Sequence, residues 1–83
     1  MTIARKHLSR IKTSNDAYND VYPIVSKLLQ LPGFYDFNII LNEPAGYTAY
    51  IFTFSDKSEL TILDDGNIYL DDDDLQTAYN IFN

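Results

Sequence analysis

From Phe34 the sequence pattern changes to a period of two, and this feature constrains the chain more than any other. Alternation at that period places side chains on opposite faces of an extended backbone, so the stretch reads as successive β-strands and an all-helical fold is excluded. Tyr35, Phe37, Ile39 and Leu41 share one face of a first strand, with Asp36, Asn38 and Ile40 on the other, ending at the turn sequence Asn42-Glu43-Pro44-Ala45-Gly46. In Tyr47–Phe54 both faces are apolar or aromatic, as in a strand paired on both sides. Ser55-Asp56-Lys57-Ser58 makes the next turn, and Glu59–Leu63 alternates with Leu60 and Ile62 inward. A tight hairpin at Asp65-Gly66 or Gly66-Asn67 leads into a fourth strand at residues 67–70, with Ile68 and Leu70 inward and Tyr69 outward.

The flanks read differently. Ala4, Leu8 and Ile11 make one helical stripe in residues 2–12, and Tyr18, Val21, Tyr22, Val25, Leu28 and Leu29 make a second that stops at Leu31-Pro32-Gly33. Pro23 in a helix interior costs about 3 kcal/mol. The second helix therefore kinks near Asn19 or starts afresh with Asp20 as N-cap and Pro23 in its first turn. After the run Asp71, Asp72, Asp73 and Asp74, the spacing of Leu75, Ala78, Tyr79 and Phe82 predicts a C-terminal helix. The expected fold is α+β: an N-terminal helix or helix pair, a four-stranded antiparallel β-sheet in meander order and a C-terminal helix, in one domain spanning residues 1–83.

Charge is distributed unevenly along this frame. The chain has 6 basic and 12 acidic side chains, for a net charge of −6. Arg5, Lys6, Arg10 and Lys12 place +4 in residues 1–12, which leaves −10 for the remainder. Asp56, Glu59, Asp64, Asp65, Asp71, Asp72, Asp73 and Asp74 are opposed within their stretch by Lys57 alone. A surface of this kind repels nucleic acid and favours a basic partner. The chain has no cysteine, hence neither disulfide nor thiolate metal site. With 46% hydrophobic and 14% aromatic residues it has the means to fold, and no apolar run reaches the roughly 20 residues of a membrane span. A cytoplasmic location is expected, the host cytoplasm if the chain is phage-encoded.

Catalytic and metal chemistry find little support in these residues. His7 lies in the charged N-terminal segment and is expected at the surface; the three glycines stand singly, so no phosphate-cradling loop exists. Asp64-Asp65-Gly66-Asn67 offers hard oxygen ligands, yet no glutamate follows Gly66 to complete an EF-hand. No enzyme, cofactor or metal is expected. The aspartate run has an ordinary use as the N-cap of the last helix, through Asp72 or Asp73. A cap does not account for Asp56, Glu59, Asp64 and Asp65, because ordinary surfaces mix signs. Two rows of carboxylates could meet the arginines that normally grip a phosphate backbone. The expected activity is polyanion mimicry, with Asp56, Glu59, Asp64, Asp65, Tyr69, Asp71, Asp72, Asp73 and Asp74 as the partner-binding set; Tyr47 and Tyr50 would add aromatic contact where exposed, although a core position is expected for Tyr50.

Gly46-Tyr47-Thr48-x-Tyr50, then Phe54-x-Asp56-x-Ser58-x-Leu60, then Tyr69 followed by the four aspartates and Tyr79 resembles the small acidic anti-CRISPR proteins encoded by phages, nearest the type I-F inhibitor that acts as a DNA mimic. The likeness spans residues 46–79, with a two-residue insertion near Ile51 and Phe52. It implies an antiparallel sheet flanked by N- and C-terminal helices. It also implies an inhibitor that occupies the basic surface of a CRISPR effector complex where target DNA would bind. Asp56, Asp71, Asp72, Asp73 and Asp74 match the acidic stretch of that family, while Glu59, Asp64 and Asp65 come from the charge argument alone. Other inhibitors or immunity proteins for a basic partner would carry the same face. An oligomerising module, in which the basic segment of one copy docks on the acidic face of another, is the remaining alternative.

Overall fold

The computed structural model describes residues 1–12, 20–30, 34–42 and 44–82. Two helices, α1 (Ile3–Lys12) and α2 (Tyr22–Gln30), precede five strands: β1 (Phe34–Asn42), β2 (Tyr47–Phe54), β3 (Glu59–Leu63), β4 (Asn67–Asp72) and β5 (Leu75–Asn80). The strands form one antiparallel sheet in the order β1-β2-β3-β4-β5. The four expected strands and the meander are present.

The C-terminal helix is not: residues 75–80 extend β4 into a fifth strand. The cause lies in the aspartate run. Asp73 and Asp74 take φ of +51° and +63°, and Asp72 pairs with Leu75. Two central residues at positive φ make the type I′ turn whose twist suits a two-residue hairpin, and aspartate tolerates that region better than most residues. The run therefore reverses the chain instead of capping a helix, and residues 75–80 add ladder hydrogen bonds to β4.

At α2, Asp20 accepts the Tyr22 N–H at 2.9 Å, as an N-cap does, and Pro23 occupies the first turn. The fresh start was one of the two expectations; Tyr18 and the kink near Asn19 lie outside the described residues. Ala4, Leu8 and Ile11 of α1 and Ile24, Val25 and Leu28 of α2 bury against one sheet face, where Phe52, Leu60, Ile62, Ile68 and Leu70 are fully covered. Each such side chain contributes about 1.5 to 3 kcal/mol relative to exposure. No helix among the described residues is long and apolar enough to cross a membrane.

Neither described helix lies over the other face of the sheet. Across it the register sets Asp36, Thr53, Glu59, Asp71 and Gln76 abreast, one from each strand, and next to them Asn38, Ile51, Thr61, Tyr69 and Ala78. Gly66, at φ +91°, closes the β3–β4 turn beneath the ring of Phe82; a Cβ there would lie 2.5 Å from that ring, so a larger residue would have to displace it as well as adopt a strained backbone.

Candidate functional site at the acidic end of the sheet

The meander brings three turn-proximal segments to one end of the sheet: the β2–β3 turn with Asp56 and Lys57, the β4–β5 turn with Asp73 and Asp74, and the N-terminus of α1. Between them lies an open, polar cleft of about 510 Å³, lined among others by Thr2, Asp56, Lys57 and Asp71, Asp73 and Asp74. The predicted carboxylates at this end divide into two kinds, according to whether the fold already uses them.

Asp72 is used. Alternation from Ile68 and Leu70 turns it inward, and it is only 5% exposed. Its carboxylate accepts the Thr2 hydroxyl at 2.6 Å and the Arg5 Nε and Nη2 at 3.0 and 2.9 Å, a bidentate pair with a guanidinium that stays partly exposed. The Arg5 hydrogen bonds first, and that of Thr2 second, hold the Asp72 carboxyl below the usual carboxylate range. Asp56 is used too. It accepts the Ile3 N–H at 2.8 Å and both the N–H and the hydroxyl of Ser58. The Ser58 hydroxyl and then the Ile3 amide keep its carboxyl low. Ser58 Oγ in turn accepts the Ala4 N–H at 3.1 Å, and Thr2 Oγ1 accepts the Arg5 N–H at 3.2 Å. The first-turn amides of α1, which have no partner within a helix, are thus satisfied by the β2–β3 turn at Ile3 and Ala4 and by Thr2 at Arg5. Both residues hold α1 in place, and Asp72 is withdrawn from the partner-binding set as a buried, neutralised group.

Asp64 and Asp65 are corrected differently, by position. They sit in the β3–β4 turn at the opposite end of the sheet, where Asp64 accepts the Thr48 N–H at 3.1 Å and Asp65 accepts the backbone N–H and side-chain amide of Asn67, each at 3.0 Å. They fasten turns and lie a full strand length from the cleft. Tyr47 is at that end as well, its hydroxyl accepting from the Asn42 side chain at 3.2 Å, while Tyr50 packs against the core.

What remains together is Glu59, Asp71, Asp73 and Asp74, with Tyr69 beside Asp71 on the open face. Glu59 and Asp71 are direct cross-strand partners. Like charges set opposite each other in a ladder destabilise it. Asp36 extends the same row two strands away, at about 4.8 Å per strand. Its outward face on β1 was legible in the alternation; its alignment with Glu59 and Asp71 depends on register and was not. Gln76 Nε2 donates to Asp71 at 3.2 Å, the one neutral neighbour across β5. Among the described residues no group of three or more His, Cys, Asp or Glu side chains is arranged to hold a metal ion.

His7 is also corrected. It is 5% exposed, stacked on Phe54 with ring centroids 5.0 Å apart and planes at 25°, and its buried Nδ1 has no hydrogen-bond partner among the described residues. Burial, and secondarily Arg10, push its pKa below the usual histidine value. Its spacing of three from Ala4 and four from Ile11 places it on the apolar stripe, a signal the charge of its neighbours concealed. In comparisons with known proteins the chain matches no family model, no curated protein and no solved structure.

Proposed function

We propose that this chain is an acidic inhibitor protein that occupies the basic, nucleic-acid-binding surface of a partner through the end of the sheet bearing Asp36, Glu59, Asp71, Asp73 and Asp74. One observation carries the reading: Asp36, Glu59 and Asp71 stand in a single row on an uncovered sheet face, with Glu59 directly opposite Asp71. The fold gains from that row only the bonds that Asp36 and Asp71 accept from the Phe37 N–H and Gln76 Nε2, whereas setting Glu59 opposite Asp71 costs cross-strand stability. A guanidinium-rich surface would relieve the repulsion and form charge-assisted hydrogen bonds with the same oxygens. Tyr69, next to the row, supplies aromatic contact area. The resemblance of residues 46–79 to phage anti-CRISPR proteins supports a CRISPR effector subunit as the partner class, with loss of target-DNA binding as the consequence.

The test uses a purified guide-loaded effector complex and labelled target DNA at about 50 mM salt, where steering is strong. The wild-type chain is expected to prevent DNA binding, and a D36N/E59Q/D71N/D73N/D74N variant, which spares Asp56 and Asp72, to permit it while unfolding no more readily. Equal inhibition by both would remove the acidic row from the mechanism. Absence of inhibition by the wild type would remove the CRISPR effector as the target.

A further inference from the structure

β1 is an edge strand whose outer side meets no other strand of the sheet. It is nine residues long, and near its end Ile39, Ile40 and Leu41 are 50%, 46% and 69% exposed, on both faces of the strand. Edges of this length are ordinarily blunted by lysine, proline or inward charge. Residues 37–42 contain none of these. We infer that β1 pairs antiparallel with β1 of a second copy, joining two five-stranded sheets into one of ten strands.

A second copy fits this edge for two reasons. The first is self-complementarity: a two-fold axis at Ile40 sets Ile39 opposite Leu41 of the second copy, Leu41 opposite its Ile39, and Ile40 opposite itself. All three exposed side chains are then covered from both sides, and the outward backbone groups of residues 38–42 gain ladder partners. The second is charge. Each copy carries −6, so two copies repel over most of their surface, yet residues 37–42 are uncharged. Antiparallel pairing also sends the two acidic ends in opposite directions, and Asp36 falls opposite Pro44 rather than another carboxylate. The inference does not depend on the identity of any basic partner.

Sedimentation of the full chain over a range of concentrations tests it. The expected result is a concentration-dependent dimer whose dissociation constant falls as salt rises from about 50 to about 500 mM, because screening removes repulsion and leaves the apolar contact. I40K is expected to weaken the dimer by at least about tenfold, since two lysines would meet across the axis, with no change in thermal unfolding at dilutions where the wild type is monomeric. If I40K does not fold, amide exchange of the wild type at two concentrations decides, with protection of residues 38–42 expected to rise with concentration. A chain that stays monomeric, a dimer that salt dissociates, or one that I40K leaves intact would overturn the inference.

Discussion

Two neighbouring aspartates show how little residue type alone determines. Asp72 turns inward and answers Thr2 and Arg5, whereas Asp73 enters the hairpin turn and faces water. D72A should therefore destabilise the fold by about 1 to 3 kcal/mol, the usual loss when hydrogen bonds to a buried carboxylate are removed, and D73N, which keeps a residue that tolerates the positive φ of that position, by much less; urea unfolding of both variants checks the contrast. His7 makes a second residue-scale prediction. The unfolded chain binds a proton near pH 6.5, while the buried imidazole resists protonation until lower pH. Stability is accordingly unaffected above that pH, falls as pH drops below it, and levels off once the folded state is protonated as well. H7F should flatten the slope between about pH 6.5 and pH 5 in thermal melts. Asp56 and Asp72, whose carboxyls are held low, add a further loss below the ordinary carboxylate range, near 3.8. Continuing the inward parity of Ile68 and Leu70 by two residues would have placed Asp72 inside; charge at that position obscured the pattern.

At the scale of elements, the β4–β5 turn carries the clearest prediction. A type I′ turn favours Asn-Gly, and two aspartates at positive φ are a poorer choice. D73N/D74G should raise stability by about 0.5 to 1 kcal/mol while weakening binding to a basic partner; equal or lower stability would mean that the turn is not strained by its present residues. The same element explains what the sequence could not show. Leu75, Ala78 and Tyr79 suit a helix, but Leu75, Thr77 and Tyr79 suit a strand equally, and pairing with β4 decides between them. The first four strands were legible because three of them alternate, Tyr47–Phe54 is a β-branched and aromatic run, and their turns are marked by Pro44 and Gly46, by Ser55-Asp56-Lys57-Ser58 and by Gly66. The row of Asp36, Glu59 and Asp71 was not, because lateral alignment across a sheet is a property of register, which no single strand encodes.

For the whole molecule, segregated charge predicts opposite responses to salt. Thermal stability of the chain should rise modestly as salt increases, because repulsion within the −6 surface is screened more than the hydrogen-bonded Asp72–Arg5 pair. Affinity for a basic partner should fall over the same range; melting curves and titrations at matched salt would show the two trends diverging. Beyond these measurements, the opposed orientation of Asp71 and Asp72 limits how this chain can evolve. Exposed carboxylates can be exchanged, moved or lost one at a time with small effect. An insertion or deletion of one codon early in β4 is another matter: another aspartate of the run would still reach Arg5, but Leu70 would turn out of the core onto the open face, so descendants of this sequence should diversify in acidity while keeping that strand at constant length.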